Sequence, residues 1–357
     1  MNFRPSVVGL SPDGLQAALG EAPDAPLRAR QICAWVYRRG AQSFQEMTDL
    51  PEGLRESLSR EWEINPLRVL SRVEAPDGVI KLLVHSGDGE GFECVLLPSA
   101  GRVSCCLSTQ VGCAMGCEFC ATGLGGFDRN LTVTEIVAQY LVLQSLSKNR
   151  ISHVSFMGMG EPLLNFENLM ASIAILHDQV GISHRHITVS TVGIVPQMEK
   201  LGETGVPINV AVSLHSPFDE VRSELMPVNR KWSVGELMAA SRRLVETTGR
   251  KITFEYLLIR DKTDSVQQAD ALASLVKGTP CLVNLIPFNA VRTEQKFRRP
   301  EPSRIRAFRE RLESYGVNVT QRVERGHEIK AACGQLAGKH RGRYAKRRSQ
   351  FSLRSEA

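Results

Sequence analysis

No stretch of this sequence approaches the ~20 consecutive apolar residues that a membrane-spanning helix needs, which excludes an integral membrane protein of that kind. The opening Met1-Asn2-Phe3-Arg4-Pro5 lacks the charged region and apolar stretch of a secretory signal, so the expectation is a soluble, cytoplasmic chain. No internal repeat of roughly 20–50 residues is present, which removes solenoids and propellers. A second CxxC unit is missing too, and with it the usual paired framework of a structural zinc site. Aromatics are sparse, at 6% of 357 residues, but 42% of residues are hydrophobic and 23% charged. That balance excludes a disordered, collagen-like or acidic solvating chain. At about 150 residues per domain, the length suggests two or three units, or one large α/β unit with additions.

The net charge of +6 is unevenly placed. Seven of the 44 basic residues and one of the 38 acidic residues lie in 339–357, which leaves 37 of each in the remainder. A basic tail of this kind reads as a solvated end, and such an arm can still neutralise phosphates.

Nine cysteines without a secretion signal speak against a disulfide framework and for metal or redox chemistry. Cys33, Cys94 and Cys281 sit in apolar surroundings and read as core residues. Cys105, Cys106, Cys113, Cys117 and Cys120 crowd together, and Cys333 lies far downstream.

Residues 1–70 read as a helix-rich N-terminal domain, with Ile32, Trp35 and Val36 forming an apolar stripe on a helix near 26–38 and with helices and basic residues that are candidates for RNA contact. Residues 71–98 read as a connector in which the runs 79–85 and 93–97 make a β-hairpin around Gly87-Asp88-Gly89. From about residue 99, β-rich runs alternate with helical patterns. Strands are expected at 103–108, 152–157, 186–191, 207–214, 251–259 and 281–286. Helices are expected near 133–147, 166–177, 195–202, 234–248, 265–277 and 303–314. Capping boxes mark three starts, at Thr132/Glu135, Ser233/Glu236 and Ser265/Gln268. Six strand–helix repeats argue for a parallel sheet, open or curved into a partial barrel, whose chemistry collects at the carboxyl ends of the strands.

The run Cys113-Ala-Met-Gly-Cys117-Glu-Phe-Cys120 puts three thiols on one loop after a strand. With a His or Asp as fourth ligand they could hold a structural zinc. Spaced three-then-two, they also suit a [4Fe-4S] cluster with one iron left open. This loop resembles the radical S-adenosylmethionine (SAM) superfamily. The resemblance implies that SAM chelates the open iron and that the reduced cluster splits it to a 5′-deoxyadenosyl radical. Gly158-Met-Gly160-Glu161-Pro162 is similar to that superfamily's GGEP element, which receives the SAM ammonium. Ser190, Ser213, Leu214, His215 and Asn289 fall at later strand ends and would ring the same face. Met157 and Met159 read as packing residues.

The stretch Cys106-Leu-Ser-Thr-Gln-Val-Gly-Cys113, the block Gly126-Phe-Asp-Arg-Asn130 and the segment Ala331-Ala-Cys333-Gly-Gln-Leu336 narrow the likeness. Together with Arg28-Ala-Arg-Gln31, Met47-Thr-Asp-Leu50-Pro51 and Asn284-Leu-Ile-Pro287, they resemble the RlmN/Cfr family of RNA methyltransferases over nearly the whole chain. The fold this implies is a partial (β/α)6 radical SAM barrel over 99–328, with a C-terminal segment, 329–357, carrying Cys333 and the basic tail.

The implied chemistry starts from a physical difficulty, because C2 of adenine is too poor a nucleophile to attack the SAM methyl group. In the implied mechanism Cys333 takes the methyl first, becoming S-methylcysteine. A radical made on that methyl adds to C2, Glu93 takes the C2 proton, and Cys106 attacks the Cys333 sulfur in a transient disulfide that frees the product. Cys106, not Cys105, matches the family pattern, although an exposed position in an alternating strand is the plain reading of Glu93.

The implied substrates are 23S rRNA and the tRNA adenosine 3′ of the anticodon, with an electron-donor protein such as flavodoxin and a monomeric enzyme. A Cfr-type enzyme acting on adenine C8 shares the cysteine set. A non-catalytic zinc protein binding RNA is the rival of another class. Phe127 and Arg129 are candidates for packing or for gripping a substrate nucleotide that has left its stack.

Overall fold

The computed structural model describes residues 4–87, 91–291, 297–322, 325–326 and 328–336. The expected basic tail, 339–357, and the centre of the Gly87–Gly89 turn lie outside the described residues.

The N-terminal region is built from three helices, α1 (Pro12–Leu19), α2 (Ala25–Cys33) and α3 (Glu52–Glu61). Ser11 caps α1 by accepting from Gly14 N, with proline in the first turn, a favoured start. After α2 the chain widens into a π-helical stretch, Ala34–Arg39, ended by left-handed Gly40. The buried Tyr37 hydroxyl accepts from Gly9 N and donates to Leu10 O, each at 2.9 Å, pinning this stretch against the first loop.

Among the described residues twelve strands follow in order: β1 (Arg68–Glu74), β2 (Ile80–His85), β3 (Gly91–Ser99), β4 (Arg102–Cys106), β5 (Gln110–Gly112), β6 (Phe127–Asn130), β7 (Ile151–Phe156), β8 (Ile187–Thr191), β9 (Asn209–Ser213), β10 (Ile252–Leu258), β11 (Cys281–Pro287) and β12 (Val319–Gln321). Between β5 and β6 lies α4 (Ala121–Gly125). The later helices are α5 (Val133–Ser145), α6 (Phe166–Asp178), α7 (Val195–Glu203), α8 (Asp219–Leu225), α9 (Val234–Thr248), α10 (Val266–Val276) and α11 (Pro302–Ser314).

Ten strands form one mixed sheet in the order β1-β2-β3-β4-β7-β8-β9-β10-β11-β12. The first four pair antiparallel. From β4 through β12 every neighbouring pair is parallel, as helical crossovers require. The parallel strands are rich in buried Val, Ile and Leu, the composition of strands covered on both faces. All six expected core strands are present, as β4 and β7–β11, and the six expected helices are α5, α6, α7, α9, α10 and α11. The sheet stays open, with no pairing of β1 to β12 among the described residues. After β12, Arg325 instead lies back against the β1–β2 turn and the end of β3. There Arg325 Nη2 donates to Asp77 O at 2.8 Å and its Nη1 to Pro98 O and Ser99 Oγ.

Four features differ from the sequence reading. β1 adds a strand that all but one of its residues leave exposed, so no in–out alternation announced it. The β5–β6 ribbon and α8 are too short to carry a period. β12 supplies a seventh parallel strand. The third capping box is half formed: Ser265 accepts from Gln268 N, but the Gln268 side chain bonds Tyr256 and Lys262 instead. No helix among the described residues is long and apolar enough to cross a membrane.

Candidate functional site

The cysteine loop leaves the sheet after β4 and is braced by the β5–β6 ribbon. Gly112 has φ +75°, and a Cβ there would lie 2.0 Å from Gly126 O, so only glycine lets the two strands approach. Cys113 N then donates to Gly126 O at 2.7 Å. Cys120 N donates to Cys117 O at 3.1 Å, which turns the chain into α4, and Glu118 N donates to Leu225 O at 3.0 Å, which ties the loop to α8.

This folding turns the three thiols onto one cavity. Burial first, and the neighbouring thiols second, push the Cys113 thiol up to about 12 and raise Cys117 well above its ordinary value. Burial also raises Cys120. Such thiols ionise only beside a strong cationic partner. Among the described residues, however, no three His, Cys, Asp or Glu side chains gather as a single metal ion requires. A cubane binds each thiolate at a separate iron, which suits thiols spread along a loop.

These cysteines open onto a cavity at the carboxyl ends of the parallel strands. Gly158 and Gly160 form its floor beside the cysteine loop. At Gly160, with φ +99°, a Cβ would lie 2.5 Å from Gln110 Cβ. Glu161 is buried and accepts from Leu163 N at 3.1 Å and Val192 N at 2.8 Å. Burial outweighs those donors and pushes its carboxyl up to about 7, so a cationic ligand would find a partner ready to ionise. Ser190, Ser213, His215 and Asn289 line the same cavity. His215 holds a left-handed backbone, and its Nδ1 accepts from Leu257 N at 3.1 Å, leaving Nε2 to carry the ring proton. Burial, then the nearby Arg222 charge, pushes it down to about 3, so the ring is neutral. Asn289 Oδ1 is buried without a hydrogen-bond partner, the state of an atom awaiting a ligand. Leu214 is fully buried in the core and lines neither this cavity nor the next.

A second cavity opens beside the first, lined by Cys106, Ser104, Arg102 and Arg325. The two share a wall that includes Met157, Asn289, Arg322 and Cys333. Strand alternation decides between the adjacent thiols: Cys106 faces this cavity, while Cys105 is fully buried in the core. Burial, then Cys333, pushes the Cys106 thiol up to about 12. Cys333 is held by its neighbours, because Ala121 N donates to Gly334 O at 2.7 Å and Gln335 Nε2 to Ala290 O at 3.2 Å. All nine cysteines are free thiols, so no disulfide stands between Cys106 and Cys333 in this structure.

Glu93 lies apart. It is buried on β3, lines neither of these cavities, and its Oε1 sits 3.0 Å from Lys81 Nζ. The Lys81 ammonium also donates to Lys330 O at 3.2 Å, linking Glu93 to the segment that carries Cys333. Arg129 does not reach outward as a nucleotide grip: it clamps Glu135 through two bonds of 2.9 and 2.8 Å. Burial alone would raise Glu135, but donors from Arg129, Ser86 and Thr132 together hold it below its usual range.

Sequence reasoning missed four residues here. Met157, read as packing, lines both cavities. Arg322 lines both as well, and its charge is reinforced first by Cys333 and then by Glu255 and Cys106. Glu255 was detectable as a lone acid in the apolar run Ile252–Leu258. Arg222 carried no signal, standing in an ordinary charged stretch.

Comparison with known proteins agrees with this geometry. Residues 107–273 match the Radical SAM superfamily, and residues 6–64 match the Ribosomal RNA large subunit methyltransferase N-terminal domain. The chain is 45% identical over 347 residues to a probable dual-specificity RNA methyltransferase RlmN of Moorella thermoacetica, covering 94% of this chain and 98% of that one. A relative of the same description from Symbiobacterium thermophilum is 44% identical, with 95% and 94% covered. A radical SAM methyltransferase structure from Sphaerobacter thermophilus superposes with TM-score 0.89 at 42% identity, covering 93% of this chain and 99% of that one.

Proposed function

Because this chain belongs to the RlmN-type radical SAM RNA methyltransferases, which use a [4Fe-4S] cluster and SAM, we propose that it methylates C2 of adenosine in 23S rRNA and in tRNA 3′ of the anticodon, through an S-methylcysteine at Cys333. One observation carries the reading: Cys333 sits on the wall common to the cavity of the cysteine loop and the cavity of Cys106. A sulfur that must first receive a methyl group and later be attacked by a second thiol needs access to both.

In this reading Cys113, Cys117 and Cys120 hold the cluster, and Glu161, Ser190, Ser213, His215 and Asn289 surround the SAM. Bound together, cluster and SAM supply the radical chemistry that unactivated C2 demands. The protein's own residues do the rest. Cys333 presents the methyl carbon to the base, which must leave its stack to reach it. Arg322 steadies negative charge on either sulfur. Glu93, once Lys81 shifts from it, accepts the C2 proton. Cys106 as thiolate then attacks the Cys333 sulfur, forming the S–S bond as the C–S bond breaks; the carbon keeps the bonding pair and takes a proton to become methyl, while the adduct's unpaired electron would pass back to the bound cluster. An electron-donor protein such as flavodoxin serves a monomeric enzyme.

Anaerobic reconstitution with SAM, a reductant and both RNAs, followed by mass spectrometry of digested RNA, is expected to show 2-methyladenosine. Methylation at C8 instead would overturn the regiochemistry while preserving the enzyme class. With the same mixture, Cys106→Ala is expected to accumulate a nuclease-sensitive protein–RNA adduct on denaturing gels, and Cys333→Ala to give none. Normal turnover by Cys106→Ala would overturn the assignment, since Cys105 is sealed in the core.

A further inference from the structure

Arg222, on α8, is 1% exposed, a rare condition for a guanidinium. Its hydrogen bonds account for the burial. Nε donates to Leu214 O at 3.0 Å, Nη1 to Asn229 Oδ1 at 2.7 Å, and Nη2 to Val192 O at 2.7 Å and Ser213 O at 3.0 Å. Every acceptor is neutral, and among the described residues no carboxylate forms an ion pair with it. Asp219, an exposed acid, is linked to it through Asn229, whose Nδ2 donates to Asp219 Oδ1 at 2.9 Å, and partly offsets its charge from a distance. The hydrogen bonds satisfy the donors, but among the described residues no carboxylate contacts the guanidinium to neutralise it.

The helix that carries this charge is tied to the cysteine loop. Glu118 N, next to Cys117, donates to the last carbonyl of the Arg222 helix, Leu225 O. Cys117 packs with Leu225, Met226 and Val228 from the same turn. Val192 and Ser213, whose carbonyls accept from Arg222 Nη2, line the same cavity as Cys117, and a guanidinium keeps its charge throughout the physiological range. A structural purpose alone, crosslinking the ends of β8 and β9 to α8, would be served by neutral amides without burying a cation.

We propose that Arg222 is a positioning residue for electron entry: its buried charge near Cys117 raises the reduction potential of the cluster, easing the one-electron reduction that starts each turnover. The step is a single electron from the external reductant to the cluster, with no bond made or broken. Reduction makes the cluster one unit more negative, and a fixed cation in a low-dielectric setting favours that state more than water would. This inference rests on Cys113, Cys117 and Cys120 holding the cluster.

The test is a dye-mediated redox titration of the reconstituted full-length protein without SAM, read by the EPR signal of the reduced cluster. Arg222→Gln is expected to lower the reduced-to-oxidised ratio at fixed potential about tenfold, equivalent to ~59 mV for a one-electron couple. Arg222→Lys keeps the charge while losing most of the hydrogen bonds. It should therefore melt earlier than wild type yet titrate within about twofold of it. Should Arg222→Gln fail to fold, Asp219→Asn decides. It preserves the hydrogen-bond geometry, removes the one acid in the relay, and should raise the reduced fraction about twofold at low salt. A wild-type potential in Arg222→Gln, or in Asp219→Asn where Arg222→Gln does not fold, would overturn the proposal. The absence of any cluster signal in wild type would instead overturn the assignment of Cys113, Cys117 and Cys120 on which it stands.

Discussion

At the scale of single residues, the site is a set of ionisable groups held against their preference. Glu161 shows the cost. Its pKa rises from 4.5 to about 7 on burial in the ligand-free protein. Between those values the folded protein binds a proton that the unfolded chain releases, so stability falls as pH rises through the window and levels off above it. At ~1.36 kcal/mol per unit the loss is on the order of 3 kcal/mol. Glu161→Gln is therefore expected to gain stability over wild type progressively between about pH 4.5 and 7, then hold a constant advantage. Denaturant titrations of both proteins across that range check it. A difference that does not vary with pH would show that Glu161 is already ionised in the folded state. The sequence identified Glu161 through its glycine neighbours, but only three-dimensional packing could reveal that Val192 N and Leu163 N are its donors. Arg322 and Arg222 were illegible for the same reason, since their meaning lies in long-range neighbours.

Among elements, the informative ones are the shortest. The β5–β6 ribbon has seven residues, too few for periodicity to register, but it sets the exit angle of the cysteine loop. The close approach of Gly112 to Gly126 O makes this ribbon unforgiving. Gly112→Ala forces both a disfavoured left-handed backbone, costing about 1–2 kcal/mol, and a clash with a carbonyl that no side-chain rotation relieves. The expected result is a protein whose barrel melts nearly as wild type but which retains less than about half of its iron after reconstitution, a loss of the kind expected when supporting geometry slips. Iron assay against circular dichroism distinguishes this from global unfolding, which would lower both together. The long elements, by contrast, were readable. α5 and α9 carry complete capping boxes, and the buried strands β7–β11 announce themselves as apolar runs between helices. β1 was invisible because its side chains face water on nearly every residue.

For the molecule as a whole, the open sheet poses a problem that the C-terminal segment resolves. A barrel left open between β12 and β1 has no strand to carry a residue across the gap, and Cys333 must reach the mouth. The segment from Arg325 to Leu336 makes that crossing, fastened at both ends. Thr122 Oγ1 donates to Leu336 O at 2.5 Å at the cysteine-loop end. At the other end Arg325 bonds Asp77, Pro98 and Ser99 on the hairpin side, and its Nε lies 3.4 Å from Asp77 Oδ2. The motif around Cys333 was legible as sequence, but its route across the sheet was not, because no local pattern encodes a crossing. Deleting 339–357, which carries seven basic residues, should leave this crossing in place and flatten the slope of log RNA affinity against log salt. An unchanged slope would exclude the tail from phosphate contact. The hairpin-side anchor makes the stronger prediction. Arg325→Ala removes at least three hydrogen bonds far from the cysteine loop, at a cost of about 1–3 kcal/mol in local stability. The segment should then fray from that end while Gly334 stays tied to Ala121. Reconstituted iron content and SAM binding should match wild type. Methylation of Cys333, followed by mass spectrometry of its peptide in single turnover, should slow about tenfold, as misplacement of a reacting group by a fraction of its bond length predicts. Parallel loss of iron and of Cys333 methylation would mean that Arg325 supports the barrel itself, and that the segment is held by its cysteine-loop end alone.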